Sequence, residues 1–222
     1  KYLFVAGLFL SMHFYTWITS LQMTTVGNSI FLESTHPLFG WLLTMIVLKE
    51  KISMKFIPAF LIASAGMYLI ISVDLHVNEN AVIGDFLAIF SAFCVAFYLI
   101  IARILRNRID FFLYIFVVYV IAAACTFLII LFKGLNFWQI PFNGWLLLIL
   151  IAIGPNLIGH STLNWASRKI PVYKVNMAFL SEAVLATIYA ALLLNELPST
   201  DFFIGAVLIL SAITGLFITD KK

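Results

Sequence analysis

Two carboxylates, Glu33 and Glu182, lie well inside long apolar segments, and so do three histidines, His13, His36 and His160. Ionisable groups are costly against lipid or in an apolar core, so they face a water-filled cavity or a partner. A carboxylate or an imidazole held there could carry a proton or bind a polar solute. Helical spacing gathers further polar groups around them. His13, Thr16, Trp17 and Ser20 share one face, and Ser29, Glu33, His36 and Gly40 share a second. Asn156, His160, Asn164 and Ser167 form a third, and Glu182, Ala186 and Tyr189 a fourth, with Asn176 on the same segment. The candidate substrate-binding set is therefore His13, Trp17, Glu33, His36, Tyr98, His160, Asn164, Glu182 and Tyr189, with Glu182 and Glu33 as candidates for proton coupling. His36 is expected to approach Glu182. Each feature also has a plainer reading. A buried carboxyl can serve as a neutral hydrogen bond between helices, and a buried His as a packing residue. Trp165, near a segment end, suits a membrane interface better than a substrate. His76 falls in a loop and reads as solvated.

The segments that carry these residues are too apolar for a soluble domain. Of the 222 residues, 64% are hydrophobic and 10% charged, and the mean hydropathy is +1.10. Eight stretches reach the roughly 20 apolar residues that cross a bilayer core: 3–21, 26–48, 56–73, 83–105, 111–132, 144–166, 172–194 and 202–219. They lack the alternation of a membrane β-barrel. The fold class expected is all-α and polytopic. Pro37 in the second span, and Gly154 and Pro155 in the sixth, should kink or unwind their helices and are candidate gating points.

Lys and Arg set the direction. Twelve of thirteen fall on one side of eight alternating spans: Lys1, Lys49, Lys51, Lys55, Arg103, Arg106, Arg108, Arg168, Lys169, Lys174, Lys221 and Lys222. Lys133 falls on the other side, with Asp74, Glu79, Asp85, Glu196 and Asp201. Basic loops stay cytoplasmic, which puts both visible ends in the cytoplasm.

The segments also repeat. Leu48-Lys49-Glu50 returns 146 positions on as Leu194-Asn195-Glu196, and Ser53 returns as Ser199. The first junction is basic and the second is not, as expected of a duplication inserted both ways up. In this register the second and third spans match the seventh and eighth, and the first matches the sixth, with His13 near the place of His160 and Trp17 near that of Trp165. The domains expected are a first repeat over 1–73, showing three helices, and a second over 83–219, showing five. Two more helices are then expected ahead of residue 1, for ten in the parent protein. Glu50 and Glu196 read as structural ties or caps at the membrane surface.

An ordered set of short motifs resembles the EamA-type transporters of the drug/metabolite transporter (DMT) superfamily. These are His13-Phe14-Tyr15-Thr16-Trp17 with Thr24-Thr25-Val26, Pro37-Leu38-Phe39 with the Lys49-Glu50 exit, Gly84-Asp85, Tyr98 with Ala102-Arg103, Trp165-Ala166-Ser167-Arg168 with Pro171, Leu180-Ser181-Glu182, and Leu194-Asn195-Glu196. Val95 stands where that family often has Trp, and Ala183 where it often has Pro. The resemblance implies inverted five-helix repeats. It also implies export or exchange of small metabolites, amino acids or drugs by alternating access across the bacterial inner (cytoplasmic) membrane.

Other function classes are weaker. No nucleotide-binding motif appears, so ATP is not the expected driver. An intramembrane enzyme would need a nucleophile–base pair or a metal set. Ser34 beside His36 lacks a third partner, and Cys94 and Cys125 have no ligand spacing. No enzyme activity, cofactor or metal is expected. A lipid-carrier flippase, or a subunit of one, is the main alternative. The partners expected are a small-molecule solute and the lipid bilayer, not nucleic acid. A homodimer is compatible with the pattern.

Overall fold

Apolar segments of this length leave the backbone no hydrogen-bond partners but its own, and in lipid that selects helices. The computed structural model describes residues 1–71, 79–134, 140–194 and 199–220, and among them every regular element is helical. The elements are α1 (Tyr2–Met23), α2 (Val26–Glu33), α3 (His36–Leu43), α4 (Phe56–Ile71), α5 (Glu79–Ile104), α6 (Phe111–Phe132), α7 (Phe142–Ile151), α8 (Ser161–Lys169), α9 (Val172–Phe179), α10 (Ser181–Leu194) and α11 (Thr200–Thr219). π-helical turns extend α3 over Thr44–Leu48 and join α7 to α8 over Ala152–His160. Side-chain caps start several helices. Thr25 accepts from Asn28 N–H, Asp110 from Phe112 and Leu113, and Ser199 from Phe202. Of the sequence features above, Asp74, His76, Asn195, Glu196, Lys221 and Lys222 lie outside the described residues.

Among the described residues, six helices are long and apolar enough to cross a membrane. The other two expected spans differ for separate reasons. The described helix over Phe56–Ile70 is short, and the span expected over 172–194 is divided at Leu180. The span expected over 26–48 is divided as well, at Ser34 and Thr35. Proline explains the second break. Pro37 has no N–H to return to Glu33, and its ring crowds that carbonyl. The side chains of Ser34 and Thr35 bind back to the carbonyls of Ile30 and Leu32. The Leu180 break has no proline; there Ser181 Oγ donates to the Ala178 carbonyl. In the sixth span the expected kink at Gly154-Pro155 takes the form of the π-helical stretch, and the Tyr119 hydroxyl donates to the Asn156 carbonyl at 3.1 Å.

α5 is the hub. It packs against α1, α2, α3 and α8, and α1 also packs against α6. A second group forms where α4 lies along α11 and α3 meets α9. α4 and α11 run antiparallel, since Lys55 Nζ reaches the Thr219 carbonyl at one end while Gly66 faces Gly205 further along. At that crossing a Cβ on Gly66 would stand 2.6 Å from the Gly205 carbonyl oxygen, so only glycine permits the approach. Large apolar side chains such as Phe112, Phe116, Phe132 and Phe142 point outward, a surface suited to lipid rather than water.

One end of the bundle collects charge. Glu50 binds Arg103 through both oxygens, at 3.0 Å each, and also takes Arg106 at 3.1 Å. Arg103 continues to the Ser167 carbonyl, and Lys174 pairs with Asp220 at 3.0 Å. Partial burial pushes the Glu50 carboxyl up, but the hydrogen bonds and charge of the two guanidinium groups outweigh it and hold the carboxyl below its ordinary value.

Candidate substrate site

The central polar residues come from helices that meet near mid-length. His13 on α1 and Ser91 on α5 interlock: His13 Nδ1 lies 2.8 Å from Ser91 Oγ and 3.2 Å from the Ser91 carbonyl, and Ser91 Oγ donates to the His13 carbonyl at 3.1 Å. A carbonyl only accepts, so the Nδ1 contact to it requires the proton on that nitrogen. Two turns along α5, Tyr98 reaches His160 Nδ1 at 2.8 Å, and Asn164 Nδ2 donates to the Tyr98 hydroxyl at 3.1 Å. With one lone pair so engaged, the hydroxyl has its own proton free for His160. The His13 and His160 rings stand 5.8 Å apart, and Phe14 lies edge-on to His160 at 5.0 Å. Trp17 stacks parallel to His13 at 6.2 Å. Tyr98 and Asn164 are fully buried, yet Asn164 Oδ1 and Trp17 Nε1 have no hydrogen-bond partner among the described residues.

A second group surrounds the two helix breaks. Glu33 closes α2, His36 opens α3 and Glu182 lies in the first turn of α10. Ser34, Thr35 and Leu180 line one small gap of about 20 Å³ with Phe31, Ser64 and Met67, so the two breaks face each other. Asn176 Nδ2 donates to the His36 carbonyl at 3.1 Å. Gly40 permits this contact, because a Cβ there would meet that nitrogen at 2.6 Å. Glu33 Oε1 and both nitrogens of His36 are buried and unpartnered among the described residues. Buried polar atoms left without partners are uncommon and call for an explanation, which a bound solute would supply.

The expected approach of His36 to Glu182 produces no hydrogen bond, since both His36 nitrogens are unpartnered among the described residues. The His36 ring packs edge-on against Phe179 at 5.0 Å. Tyr189 is 60% exposed and stands apart from both groups, as does Trp165 at 53%. Ser91 was missed by the sequence reading, although its i, i+7 spacing from Tyr98 marks the same face of α5. On the first face, Ser20 instead joins Ser29 at 2.5 Å, linking α1 to α2.

The model of the EamA-like transporter family matches residues 82–218, more than half of the chain. The chain belongs to this family. It is an EamA-type member of the DMT superfamily and a multi-pass membrane protein. It is 26% identical over 227 aligned positions to solute carrier family 35 member G1 of Mus musculus. That alignment covers 96% of this chain but 61% of the mouse protein, so the chain spans about three-fifths of its relative's length. A solved structure titled only as the crystal structure of a protein shares the fold, with a TM-score of 0.82 at 18% identity, over 99% of this chain and 76% of the other. Family members are membrane solute transporters.

Proposed function

We propose that this EamA-family chain forms the solute path of a secondary transporter, an exporter or exchanger that moves a small organic metabolite, amino acid or drug by alternating access. One observation carries the reading. Two helix breaks face each other beside Glu33 and His36, whose buried polar atoms have no partner among the described residues. Interrupted helices at a repeat interface are where transporters of this kind hold their solutes, because freed backbone groups and uncommitted side chains can meet the ligand there. In the register of the repeat, Ser34 corresponds to Leu180, so the breaks recur 146 residues apart. The division into inverted repeats at 1–73 and 83–219 agrees with this recurrence and with the antiparallel α4–α11 pair. The charge-rich end is assigned to the cytoplasm by its lysines and arginines.

His13, Tyr98, His160 and Asn164 supply hydrogen bonds to the solute, and Trp17 supplies a stacking surface. Glu182 and Glu33 are the proton-coupling candidates, as the acidic residues that lie well inside the spans. The test is a solute screen on the full-length protein in proteoliposomes, with and without an imposed pH gradient. Glu182→Gln is expected to flatten the pH dependence of uptake. A profile unchanged from wild type would remove the proton role while leaving the solute path standing.

A further inference from the structure

A cavity of about 530 Å³ opens at the charge-rich end, remote from the polar centre. Its walls are the turn between α5 and α6 and the last turn of α8. Four cations line it, Arg106, Arg108, Arg168 and Lys169, against one carboxylate, Asp110. The Asp110 carboxylate is already used in capping α6. Arg106 is engaged by Glu50, but among the described residues neither Arg108 nor Lys169 has a carboxylate partner. Arg168 is held rigidly. Its Nη2 donates to the carbonyls of Arg106 and Ile109, and its guanidinium lies 5.7 Å from the Phe111 ring centre. Its Nη1 is buried and unpartnered among the described residues. Trp165, half exposed, forms the remaining wall.

An anchored guanidinium, two exposed cations beside it and an aromatic rim make a receptor for a phosphate group. The aromatic side suits the glycerol and first methylenes of a lipid at the membrane interface. We propose that this pocket binds a phosphate-bearing anion and that its occupant is the headgroup of an anionic phospholipid. Bound there, the headgroup bridges the α5–α6 turn to α8, two elements that otherwise meet at this end through Arg103 and Arg168. The site is independent of the solute path and stands or falls separately from it.

The test uses the full-length protein in nanodiscs of four parts phosphatidylcholine to one of phosphatidylglycerol. Retained phosphatidylglycerol is counted by native mass spectrometry. Wild type is compared with the double variant Arg108→Gln/Lys169→Gln, whose exposed side chains carry no fold-bearing contact, and with Lys133→Gln, which removes one cation at the opposite end. Each basic residue near a membrane surface strengthens anionic-lipid binding roughly fivefold, so the double variant should bind about thirtyfold more weakly while Lys133→Gln matches wild type. A parallel arm titrates inorganic phosphate into protein in phosphatidylcholine alone and follows thermal stability. Stabilisation of wild type there, absent in the double variant, with no lipid retained in the first arm, would assign the site to a soluble phosphate instead. Equal lipid retention by all three proteins and no response to phosphate would overturn the pocket.

Discussion

The Tyr98 hydroxyl is the joint of the central cluster, since it faces His160 on one side and receives Asn164 on the other. Tyr98→Phe keeps the ring and removes both contacts. Losing a buried hydrogen bond and stranding its partner costs about 1–3 kcal/mol. If that loss falls on solute binding, the apparent affinity in proteoliposome uptake should drop by roughly tenfold or more. The same variant should melt only a few degrees lower in detergent, because the ring still fills the core. A large fall in melting temperature with unchanged uptake kinetics would make Tyr98 a packing residue. The residue types at this centre were readable from sequence, because polar groups within apolar segments stand out. Their partners were not. His13 and Ser91 are 78 positions apart, and nothing local to either names the other.

The helices are tied at defined points, and each tie makes a prediction. Glu50 holds the junction after the second span to α5 through Arg103 and Arg106. Its carboxyl sits below its ordinary value in the folded protein. A lowered folded pKa contributes stability that is fully present above the unfolded value and is lost as pH falls through the folded value. Wild type should therefore lose melting temperature below about pH 4.5, and Glu50→Gln should start lower at neutral pH and change less in acid. Thermal melts across pH check both. At the α4–α11 crossing, Gly66→Leu would drive a side chain into the Gly205 carbonyl. Overpacking of this kind costs about 1–3 kcal/mol, and more where only backbone can yield, so the variant should express poorly or melt well below wild type. The break at Pro37 was foreseeable from proline itself. The break at Leu180 was not, because Leu-Ser-Glu reads as ordinary helix and only packing against the opposite break distinguishes it.

For the molecule as a whole, the all-helical class and the rough limits of the apolar segments were legible, because lipid demands long apolar stretches and little else imitates them. The hub role of α5 was not, since helix neighbours in a bundle depend on which small residues permit close approach across the whole chain. The direction of the chain is open to a direct measurement. Ser53 lies at the end where Lys55 meets Thr219, and Ser199 begins α11 at the other end. Single cysteines at Ser53 and Ser199, in a background with Cys94 and Cys125 replaced, should react with an impermeant maleimide from opposite compartments. Reaction of both from one side would undo the inverted-repeat reading.

The meeting of Gly66 with Gly205 has a mechanical corollary. Most helix pairs are geared together by interleaved side chains, and turning one against the other means lifting teeth out of slots. Here the two backbones touch, with Ile70, Leu208 and Ile209 closing in beside them, so the contact is a fulcrum flanked by packed side chains. α4 and α11 are leashed at the Lys55–Thr219 end, so a rocking motion about that fulcrum would swing widest at the opposite tips, near Ile71 and Ser199.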